Sequence, residues 1–186
     1  MRGPELDVLF TSYAAADAVE RGYLERMRSL AQSARPFDRT SYQPGHFTAS
    51  AFVVAPERDA LLLVFHKKLG IWVQPGGHVD PGDASLSAAA EREAAEEVGV
   101  GPLTPLLAAG AIFDVDIHAI PARKTEPAHE HFDVRFAFTA PSRALVQSDE
   151  VGDLAWVPFS DIQRRNSDFS VLRAADKLLD VLRRGA

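Results

Sequence analysis

Residues 75–100 read PGGHVDPGDASLSAAAEREAAEEVGV, and this stretch decides how the rest of the chain is read. A Pro-Gly-Gly turn follows an apolar strand-like run, Leu69 to Gln74, and leads into a helix closed by Gly99, a good residue for a left-handed helix end. Asp83 is the expected N-cap and Val98 the expected last helical residue. Residues three and four apart share a helix face, so relative to Glu93 the side chains of Glu96 and Glu97 fall at about −60° and about +40°. Three carboxylates thus meet within one turn, and Glu91 points to the opposite side. Like charges this close repel. Arg92 can pair with Glu96 four residues on, but one guanidinium does not neutralise three carboxylates. A hard divalent cation would, and oxygen-only ligands suit Mg²⁺ or Mn²⁺. Taken alone, a Glu-rich helix is more often a solvated face; the glycine loop entering this one favours a site.

Outward from the helix, the pattern is α+β. Upstream, Phe47 to Ala55 and Leu61 to His66 are β-favouring runs separated by Pro56-Glu57-Arg58-Asp59. Downstream, Ala111 to His118, His131 to Thr139 and Leu154 to Pro158 read as strands, and Asp161 to Arg184 as a terminal helical region. Strands interleaved with few helices suggest a sheet with helices on its faces, not a doubly wound parallel fold. Residues 1–45 are expected to form a helical extension packed on the main domain, residues 46–186. Within it Tyr13, Ala16, Val19, Tyr23, Met27 and Leu30 recur at helical spacing, and Gly22 either divides the stretch or weakens it.

Composition excludes several functions. The chain has 186 residues, enough for one packed domain. With 20 Lys+Arg against 26 Asp+Glu the net charge is -6, which argues against a phosphate-tracking nucleic-acid surface. A nucleotide ligand stays compatible, since a bound metal supplies positive charge locally. There is no cysteine, so disulfides, thiolate metal sites and cysteine nucleophiles are out. No apolar run suits a membrane span and the N-terminus lacks a signal-like apolar core, so a cytoplasmic protein without membrane partners is expected.

The quoted segment resembles the Nudix box. Arg92-Glu93-Ala94-Ala95-Glu96-Glu97-Val98-Gly99-Val100 fits the pattern R-E-U-x-E-E-x-G-U, where U is apolar, and Gly77 matches the opening glycine. Likeness extends over most of the chain after His46 and includes Trp156-Val157-Pro158. One departure stands out. The family sets a glutamate six residues after the glycine and eight before the arginine; here the first count lands on Asp83 and the second on Ala84. The loop is one residue longer, with Asp83 the nearest acidic substitute.

The resemblance implies a Nudix-like α/β/α sandwich with a mixed sheet. It also implies metal-dependent hydrolysis of a nucleoside diphosphate linked to another moiety, in a nucleotide sugar or a nucleoside triphosphate. Glu93 and Glu97 would be metal ligands, and Glu96 a ligand or a contact to metal-bound water. Arg92 would orient the glutamates, and a Gly76 or Gly77 carbonyl would complete the coordination. Glu150 is the best candidate for the general base found on a later loop of the family; an ordinary acidic turn is the alternative. His78, directly after the double glycine, either approaches substrate phosphates or stabilises the loop. His129, His131 and Asp133 alternate, so they share one strand face. That reads first as a polar strand face, and otherwise as a transition-metal set or a substrate contact through His131. Trp72 and Trp156 read as core residues.

The expected partner is a small nucleotide. The extension either covers the pocket, supports a homodimer interface or only adds core. An isopentenyl diphosphate isomerase on the same fold would need a cysteine. A binding module that had lost catalysis should have lost charges from the carboxylate face, and this chain retains them.

Overall fold

The computed structural model describes residues 3–67, 69–123, 125–149 and 151–185. Its organising element is β1 (Gly45–Val54), buried along its whole length. β1 runs parallel to β7 (His129–Thr139) over a continuous register from Gly45↔Glu130 to Val54↔Thr139. On its other edge β1 changes partner. Thr48–Ser50 pair antiparallel with β4 (Gly76–His78), whereas Val54 pairs with Leu61 of β2 (Ala60–His66). The sheet therefore divides along β1. One arm continues from β2 into β3 (Ile71–Val73) and β8 (Leu154–Pro158). The outer edge of β7 carries β6 (Asp114–Ile120) and the short β5 (Thr104–Pro105), which gives a mixed eight-stranded sheet.

Period-two alternation sorts the side chains onto two faces. Phe47, Ala49, Ala51 and Val53 of β1 join Phe132, Val134, Phe136 and Phe138 of β7 in one core. That core is covered by α1 (Gly3–Ser12), α2 (Ala18–Ala31) and α3 (Leu86–Val98), through Phe10, Met27, Ala90 and Ala94 among others. On the opposite face Phe52, Val54, Leu61, Leu63 and Ala137 pack on Val171, Ala174, Ala175 and Leu178 of α4 (Phe169–Arg184). Beyond the reach of α4 this second face turns polar: His46, Thr48 and Ser50 on β1, and His129, His131, Asp133 and Arg135 on β7.

Several expectations change in detail. Gly22 does not divide the N-terminal helix; it sits inside α2, and the break falls at Tyr13–Asp17. The cause is local capping. Asp17 accepts the Glu20 N–H at 2.9 Å, and the Glu20 carboxylate folds back onto the Tyr13 hydroxyl and the Ala16 N–H. Glu20 also meets Arg173 and Lys177 of α4 at 2.6 and 2.8 Å, and these two cations reach Asp114 as well. The helical extension is thereby tied to α4 and β6 and contributes core. The terminal helical region also begins differently. A 3₁₀ segment, Phe159–Arg164, precedes α4, whose first turn Asp168 caps by accepting the Val171 N–H at 2.9 Å. The Pro-Gly-Gly turn, read as a strand stop, goes on to make β4. Among the described residues no helix is long and apolar enough to cross a membrane.

Candidate active site

Arg92 organises the carboxylate face. It lies in the middle of α3 and makes five hydrogen bonds in three directions. Its Nε and Nη2 donate to the two oxygens of Asp83, both at 2.9 Å. Nη1 donates to Glu93 at 3.0 Å and Glu96 at 2.9 Å, and Nη2 also reaches the His78 carbonyl at 2.9 Å. The two-toothed grip on Asp83 is the geometry for which a guanidinium is built. Asp83 is therefore not the N-cap of α3. Ser85 caps it, accepting the Ala88 N–H at 3.1 Å, and Asp83 is free to fold over Arg92. The longer loop is absorbed here: Asp83 also accepts the Asp80 N–H at 2.8 Å, closing a tight turn before the helix. Hydrogen bonds from Arg92 hold the Asp83 carboxyl below its usual range, against the opposing effect of burial. Glu91 takes no part in the clamp.

Glu93 and Glu97 lie against the glycine strand. A Cβ placed on Gly77 would come within 2.7 Å of the Glu93 carboxyl carbon, so any side chain there would push this carboxylate out of place. The Gly76 N–H donates to Glu97 at 3.1 Å. Burial raises the Glu93 pKa, opposed by Arg92 and reinforced by the neighbouring Glu96 charge. Three carboxylates, Asp83, Glu93 and Glu96, thus share one guanidinium, with Glu97 beside them on the Gly76 N–H, and this concentration of oxygen donors fits a hard divalent cation. Gly77 sits in register with Ala49 of β1, at the line where the sheet divides.

The division opens a cleft of about 880 Å³, in the range of small-molecule sites. Residues from both arms line it, including Val73 and Gln74 on one side and Gly76, Gly77 and His78 on the other. Glu93, Glu96 and Glu97 form part of its wall, and Arg39, Lys67 and Arg123 supply positive charge. His78 and His131 both line it. Burial, with nearby imidazoles, lowers the pKa of His78 to about 4 and that of His131 to about 2, so both are neutral at pH 7. Glu150 lies outside the described residues. Its neighbours Asp149 and Val151 line the cleft, and the Asp149 carbonyl accepts a hydrogen bond from Lys67 at 2.8 Å. Trp72 and Trp156 are absent from the cleft wall; Trp72 packs with Phe65, and Trp156 donates its ring N–H to the Arg143 carbonyl.

Asp133 does not join a metal set with His129 and His131. It accepts from Thr48, Ser50, Gln74 and Arg135, at 3.1, 2.7, 3.2 and 2.8 Å. Arg135 is almost wholly buried and also meets Asp114 and Asp116, at 3.2 and 3.1 Å. The place beside His129 and His131 belongs instead to His46, whose role the sequence reading missed. The usable signal was the alternation His46, Thr48, Ser50 on the same strand face as Phe52 and Val54, a polar run inside an otherwise apolar strand.

A mixed sheet divided along one strand, with a carboxylate helix laid against a glycine strand at the division, is the arrangement of the Nudix fold. The NUDIX domain model matches residues 45–175. On that match, covering well over half of its length, the chain belongs to the NUDIX family. A solved NUDIX-family hydrolase from Clostridium perfringens is 29% identical, with a TM-score of 0.56 over 74% of this chain and 97% of that one. The NUDIX domain of Shewanella oneidensis NrtR, solved with ADP ribose, shares the fold at 23% identity and a TM-score of 0.54, over 73% of this chain and 87% of that one. A Bacillus subtilis (strain 168) relative provisionally named 8-oxo-dGTP diphosphatase is 46% identical over 54 residues. That match spans 28% of this chain and only 36% of the relative.

Proposed function

We propose that the protein is a Mg²⁺- or Mn²⁺-dependent Nudix pyrophosphohydrolase. It cleaves a phosphoanhydride bond in a nucleoside diphosphate linked to another moiety, a nucleotide sugar or a nucleoside triphosphate. The observation that carries the reading is the Arg92-centred carboxylate face, set against Gly76 and Gly77 at the wall of the cleft. Glu93 and Glu97 act as metal ligands, Glu96 as a ligand or a contact to metal-bound water, and the Gly77 backbone as a further ligand. Bound there, the cation neutralises phosphate oxygens and lowers the pKa of a water.

The chain's own groups do the rest. Asp83 fixes Arg92, and Arg92 fixes Glu93 and Glu96, so the carboxylates need little reorganisation when substrate arrives. Arg39, Lys67 and Arg123 attract the phosphates, and neutral His78 contacts the substrate by a hydrogen bond instead of charge. Glu150 serves as general base and takes the proton of the attacking water.

The test is release of phosphate or pyrophosphate across a nucleotide panel that includes ADP-ribose and 8-oxo-dGTP, with Mg²⁺ or Mn²⁺. Wild type should turn over at least one member, and Glu97→Gln should lower kcat by about 100-fold or more, equal to about 2.7 kcal/mol of barrier. If every compound stays intact at high enzyme concentration, or Glu97→Gln matches wild type, the assignment is wrong and a binding module is left.

A further inference from the structure

We propose that His46, His129 and His131 form a second metal site, for a d-block divalent ion such as Zn²⁺, separate from the carboxylate face. Each of the three offers a ring nitrogen, and these atoms all lie within 4.8 Å of one another. Bringing three such atoms to bonding distance around one ion requires each to move inward by about 0.7 Å at most, given Zn–N bonds of about 2.0–2.1 Å. The rings sit on paired strands, not loops. His46 is the Cα partner of His131 across the parallel β1–β7 ladder, and His129 stands two residues away on the same face.

The hydrogen bonds aim the ligands. Nδ1 of His46 lies 3.2 Å from the Ser41 carbonyl, and Nδ1 of His129 lies 2.8 Å from the Pro127 carbonyl. A carbonyl only accepts, so both Nδ1 atoms carry the hydrogen and both Nε2 atoms carry a lone pair. This is how proteins orient metal-binding histidines. His46 has an unmet acceptor. Its ring is fully buried, and among the described residues Nε2 has no hydrogen-bond partner. A buried acceptor left unmatched is costly, and ring stacking alone gives no reason for it.

An all-imidazole set discriminates against Mg²⁺ and suits Zn²⁺, Cu²⁺ or Ni²⁺. His129 and His131 reach the cleft wall, so an ion held there has access from solvent and keeps a fourth position for water or a substrate oxygen. The site stands whether or not the carboxylate face is catalytic.

The experiment is calorimetric titration of Zn²⁺ into full-length protein without a polyhistidine tag, in millimolar Mg²⁺ to occupy the carboxylate face. Wild type and Glu97→Gln should each bind one Zn²⁺ per chain with the same affinity. His129→Gln and His131→Gln should bind it about 100-fold more weakly or not at all. Absence of Zn²⁺ binding in wild type, unchanged binding in His129→Gln, or loss of binding in Glu97→Gln would each overturn the proposal. If a histidine variant does not fold, the wild type alone decides by ¹⁵N resonances of its imidazoles. One equivalent of Zn²⁺ should move the Nε2 signals of His46, His129 and His131 together, and unmoved signals refute the site.

Discussion

Replacing Asp83 by Asn isolates the clamp on Arg92 with almost no change in shape. The carboxylate accepts two hydrogen bonds from Arg92 at 2.9 Å, and its side chain is only 7% exposed. An amide keeps one acceptor oxygen but turns an NH₂ towards the guanidinium, donor against donor. Hydrogen bonds to charged groups contribute about 1.5–3 kcal/mol, and one of the two survives in part, so a loss of roughly 1.5–2 kcal/mol is expected. For a chain of this size that lowers Tm by about 3–8 °C. The pH dependence fixes the origin. Arg92 depresses the folded-state pKa of Asp83, so its contribution is fully present above the unfolded value near 3.9 and is lost as pH falls through the folded one. The difference in Tm between wild type and Asp83→Asn should hold steady from pH 8 to about pH 5, then close below about pH 4. Differential scanning calorimetry at several pH values measures this. Equal Tm values at pH 7, or a gap that persists undiminished in acid, would refute the clamp.

Other perturbations separate packing from chemistry. Gly77→Ala places a methyl group 2.7 Å from the Glu93 carboxyl carbon; the flexible carboxylate gives way, so Tm should change by about 2 °C or less while kcat falls by roughly 100-fold. Glu20→Ala takes one of the two carboxylates they share from Arg173 and Lys177, leaving them Asp114, and should cost about 3 kcal/mol in urea unfolding at neutral pH. Burial opposes ionisation of Glu20, but hydrogen bonds from Lys177, Tyr13 and Ala16 outweigh it and hold its pKa at about 2; the cost should therefore persist above pH 4.5 and fade as pH drops towards 2. Arg135→Met leaves Asp114, Asp116 and Asp133 buried around an apolar chain, which should remove most folded protein, as soluble yield and circular dichroism would report.

The helix with Arg92, Glu93, Glu96 and Glu97 was legible because its information is local: spacing along one helix places the charges. Asp83 was legible as an acidic residue but not in its task, since the choice between capping α3 and gripping Arg92 depends on Ser85 being two residues closer to the helix. Of the two readings open for Gly22 the structure takes the second: an exposed glycine inside a helix costs little beside the capping network of Asp17 and Glu20. The histidine group was only half legible. Alternation showed that His129 and His131 share a face, but His46 stands 85 residues upstream of His131 and enters only through the parallel β1–β7 register. Asp133 stands outside the histidine group because Arg135, two residues on and on the same face, claims its charge.

The parallel pairing of β1 and β7 also acts as a proofreader of assembly. A slip of one residue would turn every side chain of a strand over. His46, Thr48 and Ser50 would then face the helices, and Phe47, Ala49 and Ala51 would face open water in the cleft. The same ladder joins segments far apart in sequence, and such contacts form slowly because a long loop must close first. The cleft should accordingly be among the last features to appear during folding, but once present it can take only one alignment.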